Sequence, residues 1–163
     1  MKKNIIIFVL GAAVIVLLDQ ITKAAIVKNL LIHESRPVID GFLNLVYVMN
    51  PGAAFGFLAG ASETFRHLFF IGITVLVIAL IIYYILKIKS QNMFYVIPLT
   101  LIFAGAVGNL IDRIRFGAVV DFLDFYIKTW HWPAFNVADS SITIGAALMI
   151  WGMITHRKRK AVS

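Results

Sequence analysis

The sequence contains no cysteine and few charged residues. The lack of cysteine excludes disulfides, thiolate metal sites and cysteine nucleophiles. Charged residues make up 14% of the 163 residues, whereas about a quarter of the residues in soluble domains are charged. Hydrophobic residues make up 61% of the chain, which is more apolar surface than one soluble core of this length can bury. The composition therefore indicates a membrane protein.

Acidic residues are the scarcer charges, with eight against 15 basic ones, and the net charge is +7. The basic residues cluster at the ends of apolar runs and are not spread over a polar face. Membrane topology explains that distribution better than nucleic-acid binding does, so we expect no nucleic-acid partner. The sequence has neither an HExxH helix for zinc nor a glycine-rich phosphate loop after a strand, and we expect no metal and no cofactor.

Four apolar runs predict four transmembrane helices in a single integral membrane domain, residues 1–163. A bilayer core of about 30 Å needs roughly 20 residues of helix. The predicted spans cover about 5–27, 67–86, 93–111 and 137–155, and the outer loops cover about 28–66 and 112–136. The first run resembles a signal peptide, but Asp19 and Lys23 follow it without a small-residue cleavage site, so we expect it to be retained.

Basic residues flank the spans on one side, which predicts that both chain ends are cytoplasmic. The basic clusters are Lys2 with Lys3, Lys87 with Lys89, and Arg157–Lys160. All eight carboxylates then fall in the outer loops or in the outer ends of the spans. They are Asp19, Glu34, Asp40, Glu63, Asp112, Asp121, Asp124 and Asp139.

The first outer loop has the composition of strand and turn. Glycine and proline punctuate residues 36–57, and the segment 42–48 is rich in β-forming residues, which predicts one or two short strands at the membrane surface. The small residues 50–56 form a compact turn, in which Gly52 permits close approach of another backbone. Asn50 can offer its amide to a substrate peptide there, although an ordinary turn explains the same residues.

The second outer loop begins inside an apolar helix. Asn109, Asp112 and Arg113 share roughly one face of that helix, and we expect Arg113 to pair with Asp112 or with a group on another helix. Further along, Trp130 and Trp132 are typical of anchors at a membrane interface.

Two of the eight carboxylates are expected at membrane depth. Asp19 and Asp139 are functional candidates because an ionisable group there is costly. Helix capping is the competing interpretation for the last segment, with Asn136 at the N-cap and Asp139 at the third position of the fourth helix.

A pair of aspartates remains after the other catalytic options are considered. Ser140 and Ser141 have no obvious histidine base. Two carboxylates in apolar surroundings can hydrolyse a peptide bond, because one activates water while the other, protonated, polarises the scissile carbonyl. Asp121 and Asp139 are the best pair, and Asp124 and Asp112 are their rivals.

Four collinear blocks resemble the lipoprotein signal peptidase family, also called signal peptidase II, over nearly the whole chain. The blocks are Asp19-Gln20-Ile21-Thr22-Lys23, Asn50-Pro51-Gly52-Ala53-Ala54-Phe55, Gly105–Arg113 continuing to Val119-Val120-Asp121-Phe122, and Phe135-Asn136-Val137-Ala138-Asp139-Ser140. The resemblance implies four transmembrane helices with a small extracytoplasmic β-sheet and a short surface helix.

The same resemblance implies a membrane aspartyl endopeptidase of the bacterial cytoplasmic membrane, acting at its outer face. It would remove the signal peptide from diacylglyceryl-modified prolipoproteins, cutting before the lipidated cysteine. The catalytic pair maps onto Asp121 and Asp139. The supporting and substrate-binding positions are Asn50, Gly52, Asn109, Arg113, Asn136, Asp19 and Lys23.

Membrane lipid and the prolipoprotein are the partners that the resemblance implies, and we expect a monomer. The alternatives are a small proton- or ion-coupled transporter, in which Asp19, Asp121 and Asp139 would relay protons, and a non-catalytic scaffold. A transporter predicts carboxylates across the whole membrane depth, whereas the predicted inner half has none.

Overall fold

The computed structural model describes residues 2–52, 60–87 and 93–161. Four long helices dominate them, and each is long and apolar enough to cross a membrane. They are α1 (Lys2–Asn29), α2 (Glu63–Lys87), α3 (Met93–Phe116) and α4 (Val137–Ala161). The predicted four-helix membrane fold is confirmed.

A four-stranded antiparallel sheet accompanies the helices, in the order β1-β2-β3-β4. Its strands are β1 (Ser35–Ile39), β2 (Leu43–Asn50), β3 (Val119–Ile127) and β4 (Trp130–His131). The sequence predicted the first two strands, but it left β3 and β4 within an outer loop. The first four residues of β3 are all buried, so the strand lacks the apolar–polar alternation that marks a half-exposed strand.

The pairing of β2 with β3 contains a bulge. Leu45 lies opposite Leu123, whereas Val48 lies opposite Asp121, so β2 uses one more residue than β3 over that stretch. A bulge redirects the side chains that follow it and often lies beside a functional site. Here it precedes the end of β2 that carries Asn50.

α3 lies at the centre of the helical part and packs against α1, α2 and α4. Small residues allow its close approach to α4, as they do between membrane helices in general. A side chain at Gly105 would collide with the Ala138 carbonyl, and a Cβ at Gly145 would lie 2.8 Å from the Pro98 carbonyl oxygen. These two glycines therefore lie at the contact between α3 and α4.

Some expectations differ from the structure or lie outside it. α3 continues beyond the predicted limit at 111 to Phe116, so Asp112 and Arg113 are helical. No helix besides the four long ones occurs in the ranges 2–52, 60–87 and 93–161, so those ranges contain no counterpart of the expected short surface helix. The block beginning at Asn50 is described as far as Gly52, and residues 53–56 and Lys89 lie outside the described residues.

Candidate active site

Asp121 lies on β3 and is 2% exposed. Its carboxylate accepts hydrogen bonds from the Asn136 amide at 2.7 Å and from the Asn50 amide at 2.9 Å. The Gly52 N–H donates to the Asn50 side-chain oxygen at 2.9 Å, which directs the Asn50 Nδ2 toward Asp121. Gly52 has a φ of +95°, and a side chain there would collide with the Phe70 ring. Glycine at this position therefore fixes the hydrogen-bond donor to Asp121.

Asp139 lies in the first turn of α4 and accepts a hydrogen bond from the Asn109 Nδ2 at 2.7 Å. The Asp139 backbone N–H donates to the Asn136 Oδ1 at 2.8 Å, which is N-capping geometry. The capping interpretation is confirmed for Asn136, but it does not exclude a site. The same Asn136 side chain caps α4 through its oxygen and holds Asp121 through its nitrogen.

Lys23 occupies a cage of three oxygens between α1 and α3. Its ammonium lies 2.9 Å from Asp19 Oδ2, 2.9 Å from Asp112 Oδ2 and 3.0 Å from Asn109 Oδ1. Three acceptors match its three donors. Because Lys23 is 3% exposed, these partners are what allows a charge to stay at this depth.

Of the two alternatives for Arg113, the pair with Asp112 does not form, because Asp112 pairs with Lys23 on another helix. Its neighbour Arg113 turns the other way and places its guanidinium 5.3 Å from the centre of the Phe70 ring. Consecutive residues on a helix point about 100° apart, which is why Asp112 and Arg113 serve different environments.

The buried cage also fixes the two elements that carry the aspartates. Asp19 accepts the Ala138 N–H at the start of α4 at 2.9 Å, and Asp112 accepts the Val120 N–H at the start of β3 at 3.1 Å. Gln20 donates to Asp112 at 3.0 Å and completes the group. Gln20 stands inside the first block but is not among the site residues that the sequence predicts.

A cavity of about 580 Å³ brings the candidate residues together. Asp121 and Asp139 both line it. The other lining residues are Asn50, Gly52, Phe70, Arg113, Trp132–Phe135, Ser140, Thr143 and Ile144. Trp132, expected as an interface anchor, therefore forms part of the cavity wall. Phe70 and Thr143 were missed because an aromatic or a threonine in an apolar span carries no distinguishing signal. Asp19, Lys23, Asn109 and Asn136 support the site from behind.

Comparison with known proteins decides the family. The family model for signal peptidase (SPase) II matches residues 11–155. The lipoprotein signal peptidase of Syntrophus aciditrophicus (strain SB) is 52% identical over 161 residues, covering 99% of this chain and all of that protein. The lipoprotein signal peptidase of Geobacter metallireducens (strain ATCC 53774 / DSM 7210 / GS-15) is 45% identical and covers 99% and 98% of the two chains. This chain belongs to the signal peptidase II family.

A solved structure of a bacterial membrane enzyme, obtained by the in meso method at 2.3 Å resolution, has the same fold. It superposes with a TM-score of 0.84 at 39% identity, covering 94% of this chain and 90% of that one. The chain is an aspartic endopeptidase of the signal peptidase II type and a multi-pass bacterial membrane enzyme. Membership of this family favours the peptidase over the transporter and the scaffold.

The remaining carboxylate of β3 lies away from the cavity of this signal peptidase II. Asp124 accepts hydrogen bonds from the Asn44 amide at 2.9 Å and contacts the His131 Nδ1 at 2.9 Å. Asp121 and Asp124 are three positions apart, and an odd separation along a strand places side chains on opposite faces. Asp124 therefore joins three strands of the sheet.

The serines of the last block are occupied with backbone carbonyls. The Ser140 hydroxyl donates to the Asn136 carbonyl at 2.8 Å, and the Ser141 hydroxyl donates to the Ala138 carbonyl at 2.9 Å. Such bonds satisfy hydroxyls within an apolar helix. Both hydroxyls therefore donate to the backbone and not to a carboxylate of the cavity.

The environment of Asp121 favours its protonated form. Burial, followed by the negative charge of Asp139, raises the pKa of Asp121 to about 7, against the hydrogen bonds from Asn50 and Asn136 that stabilise the anion. The negative charge of Asp139 thus disfavours a second negative charge on Asp121 in the same cavity.

Proposed function

We propose that Asp121 and Asp139 are the catalytic pair, and that they hydrolyse the peptide bond between a signal peptide and a lipid-modified cysteine. As a lipoprotein signal peptidase, the chain is an aspartyl peptidase that cleaves the signal peptides of prolipoproteins. The assignment to these two residues rests on one observation: both carboxylates, from separate elements, line one cavity and each is held by asparagine amides.

The proposed chemistry needs one proton on the pair. The ionised carboxylate takes a proton from a water molecule, and the protonated one donates to the scissile carbonyl oxygen as the hydroxide adds to its carbon. Collapse of the tetrahedral intermediate breaks the C–N bond. The leaving nitrogen takes a proton from the pair, and one hydroxyl of the intermediate returns its proton to the pair as the carbonyl re-forms. The pair again holds one proton after each turnover.

The asparagines give the two carboxylates fixed orientations. Asn50 and Asn136 donate to Asp121, and Asn109 donates to Asp139, so neither carboxylate has to reorganise when water is activated. Fixed placement of reacting groups lowers the barrier because the entropy of alignment is lost on folding and not during the reaction. We assign Arg113, which lines the same cavity, to binding of the substrate's backbone carbonyl groups.

The cavity is positioned for a substrate that reaches it from the membrane. Within the described residues, α2 and α4 both pack against α3 but barely touch each other. The cavity lies in the gap between them, with Phe70 on one side and Thr143 and Ile144 on the other. An apolar signal-peptide helix fits this gap, while a diacylglyceryl group on the cysteine stays in the adjacent lipid.

The proposed orientation places this cavity at the outer face of the cytoplasmic membrane and both ends of the chain in the cytoplasm. The basic residues that flank the spans support it, because Lys and Arg prefer the cytoplasmic side. Three carboxylates at the opposite end of the molecule from these basic residues are buried, namely Asp19, Asp112 and Asp121.

Cleavage of a synthetic prolipoprotein in lipid nanodiscs tests the assignment. We expect Asp121→Asn and Asp139→Asn each to lower kcat by at least about a hundredfold, the range of one acid–base group, while the proteins stay folded. Asp124→Asn is the matched control on the same strand. Near-normal cleavage by Asp121→Asn or Asp139→Asn would remove that residue from the pair. Equal cleavage of lipidated and unlipidated substrate would contradict recognition of the diacylglyceryl group.

A further inference from the structure

A second cavity, of about 180 Å³, lies between α1 and α3. None of its lining residues lines the cavity that contains Asp121 and Asp139. Its wall includes Ala24, Val27 and Lys28 from α1, and Arg115 and Phe116 from α3. We call it the α1–α3 groove.

Two exposed cations stand at one end of the groove. Lys28 is in the last turn of α1 and Arg115 is in the last turn of α3. Neither takes part in the ion pairs found among residues 2–52, 60–87 and 93–161. The third cation of the groove, Lys23, is already paired with Asp19 and Asp112. The groove therefore carries an uncompensated positive charge.

Apolar side chains form the rest of the groove wall. Ala24 and Val27 are exposed on α1, and Phe116 is 45% exposed on α3. From Gln20 to Lys28 the helix rises about 12 Å, at about 1.5 Å per residue. Toward the membrane interior the groove ends at the polar side chains of Gln20, Lys23 and Asp112, and at the membrane surface the apolar Val27 and Phe116 lie beside Lys28 and Arg115.

We infer that the α1–α3 groove binds an anionic phospholipid of the outer leaflet. Its phosphate lies between Lys28 and Arg115, where charge-assisted hydrogen bonds form, and an acyl chain lies along Val27 and Phe116. The placement in the outer leaflet rests on the proposed orientation of the chain, whereas the binding itself does not.

The helix dipole offers a simpler explanation for each cation, because a basic residue is favoured in the last turn of a helix. It does not explain why Lys28 and Arg115, from different helices, line one groove. In the proposed orientation Lys28 and Arg115 also lie on the outer side, whereas basic residues generally prefer the cytoplasmic side. An anionic headgroup accounts for both observations.

The groove shares its floor with the cage that supports the active site. Gln20, Lys23 and Asp112 line it, and Lys23 holds the Asn109 that donates to Asp139. A lipid that joins α1 to α3 at this point adds to the contacts that keep the cage assembled. We therefore expect the bound lipid to raise the temperature of unfolding.

Lipid retention measures the proposed binding directly. The enzyme in a neutral detergent is titrated with dioleoyl phosphatidylglycerol or with dioleoyl phosphatidylcholine, and the dissociation constants are obtained by native mass spectrometry. We expect tighter binding of phosphatidylglycerol, weakened about fivefold by Lys28→Gln or Arg115→Gln and about 25-fold by both, from the contribution of one basic residue near a lipid surface.

The matched control removes two exposed cations elsewhere, Lys87→Gln with Lys128→Gln, and should keep the preference for phosphatidylglycerol. Loss of the preference in the control as well, or its survival in the Lys28→Gln/Arg115→Gln protein, would overturn the proposal. So would an equal rise in unfolding temperature with inorganic phosphate. Because no substrate is present, these outcomes leave the peptidase assignment unaffected, and a failure of the cleavage assay leaves lipid retention unaffected.

Discussion

The Lys23 ammonium donates to the Asn109 Oδ1 at 3.0 Å, and the Nδ2 of the same amide donates to Asp139 at 2.7 Å. An ammonium has no acceptor, so Asn109 must present its oxygen to Lys23. The other end of the amide then presents hydrogen-bond donors to Asp139. A buried charge on α1 thus sets the hydrogen bonding of a carboxylate on α4 without touching it.

The substitution Lys23→Met tests the importance of this charge. It leaves Asp19 and Asp112 buried without their cation, and breaking a buried pair costs about 3–5 kcal/mol. We expect a large fall in unfolding temperature in detergent and a lower kcat in whatever fraction remains folded. Lys87→Met, at the exposed end of α2, is the control and should leave both values unchanged. An unfolding temperature for Lys23→Met equal to that of the wild type would show that the cage does not stabilise the fold.

Gly108→Ala tests the close packing behind the site. A Cβ at Gly108 would lie 2.6 Å from Asp19 Oδ2 and 3.3 Å from the Ala138 Cβ. Because Asp19 is held by Lys23 and by the Ala138 N–H, it cannot move freely, and we expect a loss of about 1–3 kcal/mol, typical of overpacking. Gly72→Ala in α2, where a Cβ meets nothing within 4 Å, should be neutral or slightly stabilising. Thermal unfolding of the two variants side by side measures the difference, and equal stability would contradict a rigid cage.

Asp124→Asn distinguishes the two carboxylates of β3. The carboxylate of Asp124 serves Asn44 and His131 on neighbouring strands, so its loss should cost about 1 kcal/mol, the net value of a hydrogen bond. We expect cleavage to fall less than about tenfold, well below the loss for one acid–base group. A fall as large as that of Asp121→Asn would show that Asp124 acts in the reaction.

The raised pKa of Asp121 predicts a pH-dependent stability. Its pKa is about 7 in the folded protein and about 3.9 in an unfolded chain. The folded state therefore binds more protons in that window, and this contribution to stability is complete below the lower pKa and is lost as pH rises through about 7.

The variant Asp121→Asn lacks this titration. We expect the unfolding temperature of the variant minus that of the wild type to rise from pH 4 to pH 7 and to stay constant above pH 7. The altered hydrogen bonds of the variant add a constant to this difference and do not change its dependence on pH. Thermal unfolding in detergent from pH 4 to pH 9 provides the measurement. A difference that stays flat across the range would mean that Asp121 is already ionised at low pH in the folded enzyme.

The sequence indicated the helices for a physical reason. A membrane span must be long and apolar whatever it packs against, so hydropathy alone locates it. The sheet is different, because β3 pairs with β2 across more than 60 intervening positions, and the bulge that places Asp121 opposite Val48 is a property of that pairing. The local composition of β2 or β3 therefore does not predict the pairing or its bulge.

The choice of Lys23 over Arg113 as the partner of Asp112 depends on packing for a similar reason. The neighbouring Arg113 is the nearest opposite charge along the chain, whereas the actual partner, Lys23, is on another helix. The ion pair between Lys23 and Asp112 can form only where α1 and α3 pack together. In the same way Gln20 and Phe70 have no sequence signal of their own, because their roles depend on what faces them.

The single Asn136 side chain that caps α4 and also holds Asp121 ties the site to the order of assembly. β3 and α4 must both be in place before that amide has its two partners, and Asn50 and Asn109 come from two further elements. A chain with its helices inserted but its sheet unformed would possess both aspartates and no competent pair. On the proposed assignment of Asp121 and Asp139, peptidase activity would therefore appear only after the sheet and the helices have assembled.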